Sequence, residues 1–435
     1  MANLYNILHF VKSKCTQSSQ SREPNPQIQY KFSDYNPQIQ YKFGELKRAI
    51  YICTQTLATL KIMINRKLNH RILEDFGKGK VIVIIGARQV GKTTLVDSIS
   101  KNKDRVLKLN CDNSDDRLDI ENKSSTELES LMQGYDIVFI DEAQRVSNIG
   151  LTIKMMADLK KVSPQIVISG SSSLELAEGI YEPATGRHID YELFPLCVSE
   201  LAAHSSPREE KRMLSQRLLY GSYPEVVTNP NDARRLLMTL SSDYLYKDLL
   251  GYKGIKKPEI LQKLLRALAL QVGSEVSYNE LSNLVGIDKA TVENYISLLE
   301  KCYVIFRVES YSSNLRNEIK KGKKIFFWDN GIRNAILANF ANPELRSDMG
   351  MLWENYIMSE RRKMHLYNND YTRMYFWRTH TQSEIDLIEE HNGQLYSFEM
   401  KWNGKAKAKQ PSAFATCYPG TPFSVITPEN YMDFL

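Results

Sequence analysis

Short continuous apolar runs alternate with helical spacings through much of the chain. Lys80–Ile85 reads Lys-Val-Ile-Val-Ile-Ile, and its β-branched residues fit a strand buried on both faces of a parallel sheet. Arg105–Leu109, Ile137–Ile140 and Gln165–Ser169 have the same character, and the helical patterns Thr93–Lys101, Glu127–Leu131 and Ile153–Lys160 separate them. Strands alternating with helices across short loops predict a doubly wound α/β sheet. Near Pro230 the pattern changes: Ala233–Leu250 and Pro258–Leu270 read as Leu-, Arg- and Lys-rich helices. Tyr278–Val285, the turn Gly286-Ile-Asp288 and Ala290–Leu299 then read as a helix-turn-helix. Its small core would be Leu281, Leu284, Val285, Ile287, Val292, Ile296 and Leu299, with Asp288 as N-cap of the second helix. Val304–Tyr311 and Lys324–Phe327 would be the two strands of a wing. Beyond these, strand and helix patterns return. The expected organisation is a leader over 1–62, a nucleotide-binding domain over 63–230, helices and winged helix over 231–320, and a C-terminal α/β domain over 321–435.

The leader differs from the rest. Asn25–Phe32 recurs unchanged at Asn36–Phe43, within a stretch rich in Ser, Gln, Asn and Pro that predicts disorder. Globular patterning starts near Met63, an alternative start that would place the leader outside the native protein; a regulatory tail is the other reading. Composition adds little: 435 residues, 42% apolar, 25% charged and a net charge of +6 describe an ordinary globular chain of two or three domains. Six scattered cysteines form no CxxC pair, which argues against zinc and a disulfide framework and suits the reducing cytoplasm. Ala49–Ile64, the longest apolar candidate, is interrupted by Thr54, Thr56, Thr59 and Lys61, so no membrane span is expected.

The strand at Lys80–Ile85 runs into Gly86-Ala87-Arg88-Gln89-Val90-Gly91-Lys92-Thr93, followed by Thr94 and a helix. This spacing in this context is a phosphate-binding loop. Gly86 and Gly91 let consecutive N–H groups turn inward toward phosphate oxygens, and the helix N-terminus adds positive field. Lys92 would reach the β- and γ-phosphates of ATP, and Thr93 would ligate Mg²⁺. Ile137–Ile140 ends in Asp141-Glu142: Asp141 is placed behind the metal, and Glu142 can orient and deprotonate water. After Gln165–Ser169, Ser171 is the candidate sensor of the γ-phosphate, with Ser172 beside it and a simple Ser-rich turn as the bland alternative. Arg187, in a Gly-Arg loop, is a candidate to complete the site in cis or from a neighbouring subunit; otherwise it is a surface arginine. The acidic pair suits water better than a kinase acceptor as nucleophile.

Gly86–Thr94, Phe139-Ile-Asp-Glu-Ala-Gln144, Ile168-Ser-Gly-Ser-Ser172, Thr185-Gly-Arg187 ahead of Phe194-Pro-Leu196, and Tyr220-Gly-Ser-Tyr-Pro-Glu225 come in an order that resembles the bacterial and archaeal AAA-type ATPases with a C-terminal domain of unknown function. The resemblance spans Met63 to the end. It implies an AAA-type sheet with a helical lid, ATP hydrolysis, and an arginine finger from the loop holding Arg187. Ser222 stands where that family usually has a second glycine.

Two further groups carry chemistry. Lys289, Thr291, Glu293 and Asn294 would face a DNA major groove, and Arg316, Lys320, Lys321, Lys323 and Lys324 would meet phosphates; a protein-docking module is the alternative. Farther on, Ser383–Ile388 and Tyr396–Lys401 are strands around the turn Asn392-Gly393, and Gly350–Glu354 lies on a helix. Period two puts Glu399 with Lys401 on one face and Glu384 with Asp386 on one face of the neighbouring strand. Asp386, Glu399 and Lys401 as catalytic groups, with Asp386, Glu399 and Glu354 on a metal, resemble the PD-(D/E)xK nuclease fold. Cross-strand ion pairs, or an inherited fold that no longer cuts, are the alternatives. The expected function is ATP hydrolysis coupled to action on DNA; the alternative is an ATP-dependent switch that docks a protein partner.

Overall fold

The computed structural model describes residues 63–435 except 160–163, 172–184, 251–257, 313–321, 380, 382 and 406–407, and only the backbone of 243–250 and 258. The duplicated segment, Ser172, Arg316, Lys320 and Lys321 lie outside the described residues. Ile64–Leu435 forms one structural unit.

The first sheet has five parallel strands in the order β2 (Val106–Asn110), β3 (Ile137–Asp141), β4 (Gln165–Gly170), β1 (Val81–Gly86) and β5 (His188–Leu193). β1 lies inside the sheet, between β4 and β5, and is buried along its whole length, as its unbroken apolar run requires. Helices Lys92–Ser100, Ser125–Met132 and Ile149–Asp158 occupy the connections, each near its expected place. Because every strand is parallel, the loops after β1, β3 and β4 meet at one edge, where open α/β sheets bind ligands.

The second sheet has seven strands in the order β12 (Phe423–Ile426), β11 (Gln394–Met400), β10 (Glu384–His391), β9 (Arg373–Arg378), β7 (Ile305–Ser310), β8 (Lys323–Phe327) and β6 (Glu275–Val276). The expected wing strands are β7 and β8, and they do pair antiparallel. β7 also pairs in parallel with β9 through Glu309 and Ser310, so these two strands belong to the C-terminal sheet. A boundary at 320 thus falls between two strands of one sheet. The hairpin β10–β11 turns at Asn392 and Gly393, both with positive φ (51° and 80°), the backbone that Asn-Gly favours.

The helix-turn-helix forms over Tyr278–Val285 and Lys289–Lys301, and the Asp288 carboxylate accepts from Thr291 N. Leu284 departs from its expected core place: it is 64% exposed. Lys324 departs in the other direction. It is 1% exposed and therefore not a surface phosphate contact.

Side chains tie the two sheets together. Phe194, after β5, stacks on Trp328 at 4.1 Å between ring centroids. Asp329 accepts from Ser222 N at 2.7 Å, an approach open only because Gly221 has no Cβ: one there would stand 2.0 Å from Asp329 Oδ1.

Candidate functional site

Gly91 takes φ +93° and caps the helix Lys92–Ser100, while Gln89 takes φ 58°. These left-handed residues bend the loop back over the end of β1. Ala87 and Val90 are buried anchors; Arg88 is half-buried, and Gln89, Thr93 and Thr94 face solvent. Lys92 is buried, with Nζ donating to the carbonyls of Gly86 (2.9 Å) and Ala87 (3.0 Å) inside the loop.

Thr93 Oγ1 donates to Asp141 Oδ2 at 2.9 Å, joining the start of the helix to the end of β3. Ser169 on β4 donates to the other Asp141 oxygen, which also accepts from Glu142 N at 3.1 Å. A hydroxyl beside a carboxylate is the hard-oxygen donor set that Mg²⁺ takes, so these residues fit that ion.

Glu142 sits at φ 51°, an uncommon backbone for a residue other than glycine, which turns its side chain off the strand line. Its carboxylate accepts from Gln144 Nε2 at 2.5 Å and from Ser171 Oγ at 3.2 Å, and Gln144 also reaches Ser171 at 3.1 Å. The structure thus gathers Lys92, Thr93, Asp141, Glu142 and Ser171 at one edge. Sequence reasoning gave no role to Gln144 or Ser169, although both lie inside stretches that it singled out.

Arg187 is not part of this cluster. It precedes β5, whose His188 is in register with Val81 at the start of β1, and its carbonyl accepts from Val81 N. Six strand residues put it about 20 Å from the loop, at the opposite edge of the sheet. There it pairs with Asp158 at 2.8 Å. The expectation that it completes the site in cis is overturned by strand direction.

The C-terminal group lies on the helix Met349–Asn368 and the second sheet. Lys401 Nζ meets Glu399 at 2.6 Å, and the Asp386 carboxylate accepts from Met400 N at 2.7 Å. From β8, buried Lys324 Nζ bridges Glu354 (2.9 Å) and Glu384 (2.5 Å). Burial, then repulsion from Glu354 and Glu399, pushes the Asp386 carboxyl up to about 8, with Lys324 acting the other way. Glu354, Asp386, Glu399 and Lys401 are therefore neighbours, as expected, with Lys324 an addition hidden in a lysine-rich run. Among the described residues no three His, Cys, Asp or Glu side chains stand in a metal-holding arrangement.

Residues 78–202 match the AAA domain family. Residues 211–343 match a domain of unknown function, DUF8612, and 349–431 another, DUF4143. An uncharacterized protein of Mycobacterium tuberculosis is 24% identical over 345 residues, covering 76% of this chain and 72% of its own. An uncharacterized protein of Methanocaldococcus jannaschii is 24% identical over 379 residues, 81% of each. Among solved structures, a Walker-type ATPase of Pyrococcus abyssi is 16% identical with a TM-score of 0.43, covering 63% of this chain and 96% of that one. Residues 78–202 are thus similar to AAA domains, and the stretches after them to domains of unknown function. No helix among the described residues is long and apolar enough to cross a membrane.

Proposed function

We propose that the chain hydrolyses ATP at Gly86–Thr94. The observation that carries this reading is the convergence of Thr93, Asp141 and Glu142 beside a loop closed by Lys92. Thr93 and Asp141 would hold Mg²⁺, which when bound offsets the charge on the transferred phosphoryl group. Lys92 Nζ, now on two loop carbonyls, has the reach and charge to take phosphate oxygens instead. Glu142, steadied by Gln144 and Ser171, would orient water and accept its proton. An arginine finger from Arg187 requires a neighbouring copy, because its own site is at the far edge of the sheet.

A second reading concerns what hydrolysis serves. The C-terminal order of helix Met349–Asn368, strands β9, β10 and β11, helix Ser412–Cys417, and β12 parallel to β11 runs α-β-β-β-α-β, which supports a reading as a PD-(D/E)xK nuclease-like domain. Glu354 falls on the helix, Asp386 on the second strand and Glu399 on the third, with Lys401 one residue past the end of that third strand. The helix-turn-helix supports DNA as the partner.

One assay addresses both readings: ATP turnover with and without supercoiled DNA in Mg²⁺ buffer, with the DNA then run on a gel. Lys92→Ala is expected to lose nucleotide binding. Glu142→Gln should bind ATP and turn it over about 10²-fold or more slowly. Nicking is expected in wild type and absent in Asp386→Ala. Normal turnover by Glu142→Gln sinks the first reading; DNA that changes neither turnover nor its own integrity sinks the second.

A further inference from the structure

Arg66 belongs to none of the motifs. It precedes the helix Leu68–Glu74 and is buried. Its guanidinium has four partners: NH1 donates to the Val90 carbonyl at 2.6 Å, NH2 to the Phe194 carbonyl at 2.6 Å and to Tyr367 Oη at 3.2 Å, and Nε to Glu200 Oε1 at 3.0 Å. Val90 is part of the phosphate loop, and a Cβ placed on Gly91 would stand 3.8 Å from Arg66 NH1. Glu200 is itself fixed, accepting from Lys67 N and Cys197 N.

The Val90 carbonyl and the Gly91 N–H belong to one planar peptide and point in opposite directions. Pinning the carbonyl therefore fixes the direction of an N–H that a phosphate would use. A rigid planar fork is suited to this, since one side chain sets four acceptors relative to one another.

Tyr367 extends the connection. Its hydroxyl accepts from Phe194 N at 3.1 Å as well as from Arg66, and it lies near the end of the helix Met349–Asn368. Glu360 on the same helix accepts from Val198 N at 2.6 Å. Glu354 of the carboxylate group lies on that helix too, about 20 Å from Tyr367 along its axis. One rigid element thus touches both candidate sites.

We infer that Arg66 is a positioning residue of the phosphate loop and that, through Tyr367, it makes the helix Met349–Asn368 part of the nucleotide site. The inference rests on the ATP reading above. It gives the C-terminal segment a means of sensing nucleotide, and by reciprocity a means of altering its affinity.

The test uses the full chain as wild type, Arg66→Lys and Tyr367→Phe, with thermal unfolding as a control on folding. Hydrogen exchange over residues 87–93 is measured without nucleotide, and affinity is measured with a fluorescent ATP analogue and Mg²⁺. Arg66→Lys loses the fork, so exchange should quicken and affinity fall about tenfold, as for two lost hydrogen bonds. Tyr367→Phe loses the hydroxyl that accepts from Arg66 and from Phe194 N, only one of which bears on the loop-holding guanidinium, and should weaken affinity about threefold. In wild type the analogue should slow exchange over 360–368, and in Tyr367→Phe it should not. Unchanged exchange over 87–93 in folded Arg66→Lys overturns the proposal; if that variant does not fold, unchanged affinity in Tyr367→Phe does so. A wild type that binds no analogue sinks the ATP reading alone, because exchange over 87–93 still judges Arg66.

Discussion

A carboxylate that is to take a proton from water must be held in one place. Glu142 is held by Gln144 at 2.5 Å and Ser171 at 3.2 Å, while its backbone N–H is spent on Asp141. Gln144→Leu removes the shorter bond and leaves the loop, Thr93 and Asp141 untouched. The expected result is a fall in kcat of about tenfold with ATP affinity within twofold, since one hydrogen bond of this kind contributes about 1–2 kcal/mol. Steady-state turnover and equilibrium binding check it; an affinity loss as large as the loss in kcat would place Gln144 in substrate binding instead. That Lys92, Thr93, Asp141 and Glu142 come together is legible in the sequence, because each stands at a fixed spacing from the end of a strand. Arg66 left no trace in the sequence, being one arginine ahead of an ordinary helix. For Arg187 the same-chain alternative fails because chain order does not say which end of a strand a loop occupies.

Among the elements, β8 shows how far a periodic pattern reaches. Its sequence, Lys-Lys-Ile-Phe-Phe, predicts a strand, and a strand forms. What the pattern hides is that β7 joins β9 and β6 covers the other edge of β8, which makes β8 an inner strand of a larger sheet in which Lys324 is buried against Glu354 and Glu384. Lys324→Met leaves two carboxylates without their buried cation and should cost about 3–5 kcal/mol of stability in metal-free protein. The cost should grow with pH. Asp386 is raised to about 8 in the folded chain and is ordinary when unfolded, so its stabilising contribution is full below about 4 and is lost as pH rises through about 8. Lys324 moderates that loss, so Lys324→Met should steepen the fall between pH 6 and 9. Urea unfolding at both pH values is the measurement. A cost below about 1 kcal/mol at pH 9 would show that water, and not Lys324, satisfies Glu354.

For the molecule as a whole, the question is whether the nucleotide-binding half can stand alone. Its pattern of strands and helices reads as a complete domain ending near Pro230, and nothing in that stretch announces a dependence on residues beyond it. The packing announces one. Phe194 N bonds Tyr367, Val198 N bonds Glu360, and Ser222 N bonds Asp329, so three N–H groups of the first half use acceptors from beyond residue 320. Phe194 also needs Trp328 and Tyr367 to cover its ring. Periodicity cannot reveal such partners, because it reports the face an element buries and not what buries it. Each abandoned N–H costs roughly 1–3 kcal/mol if it stays buried, and three together rival the roughly 5–15 kcal/mol that holds a domain folded. A fragment of residues 63–230 is therefore expected to give a poorly dispersed amide spectrum and to bind ATP far more weakly than the full chain. The full chain, in turn, should lose its nucleotide site and its C-terminal sheet in one transition on heating, monitored by exchange over 81–93 and over 384–400. A fragment with a dispersed spectrum and full affinity for ATP would show that these contacts fasten two self-sufficient parts together and do not complete either one.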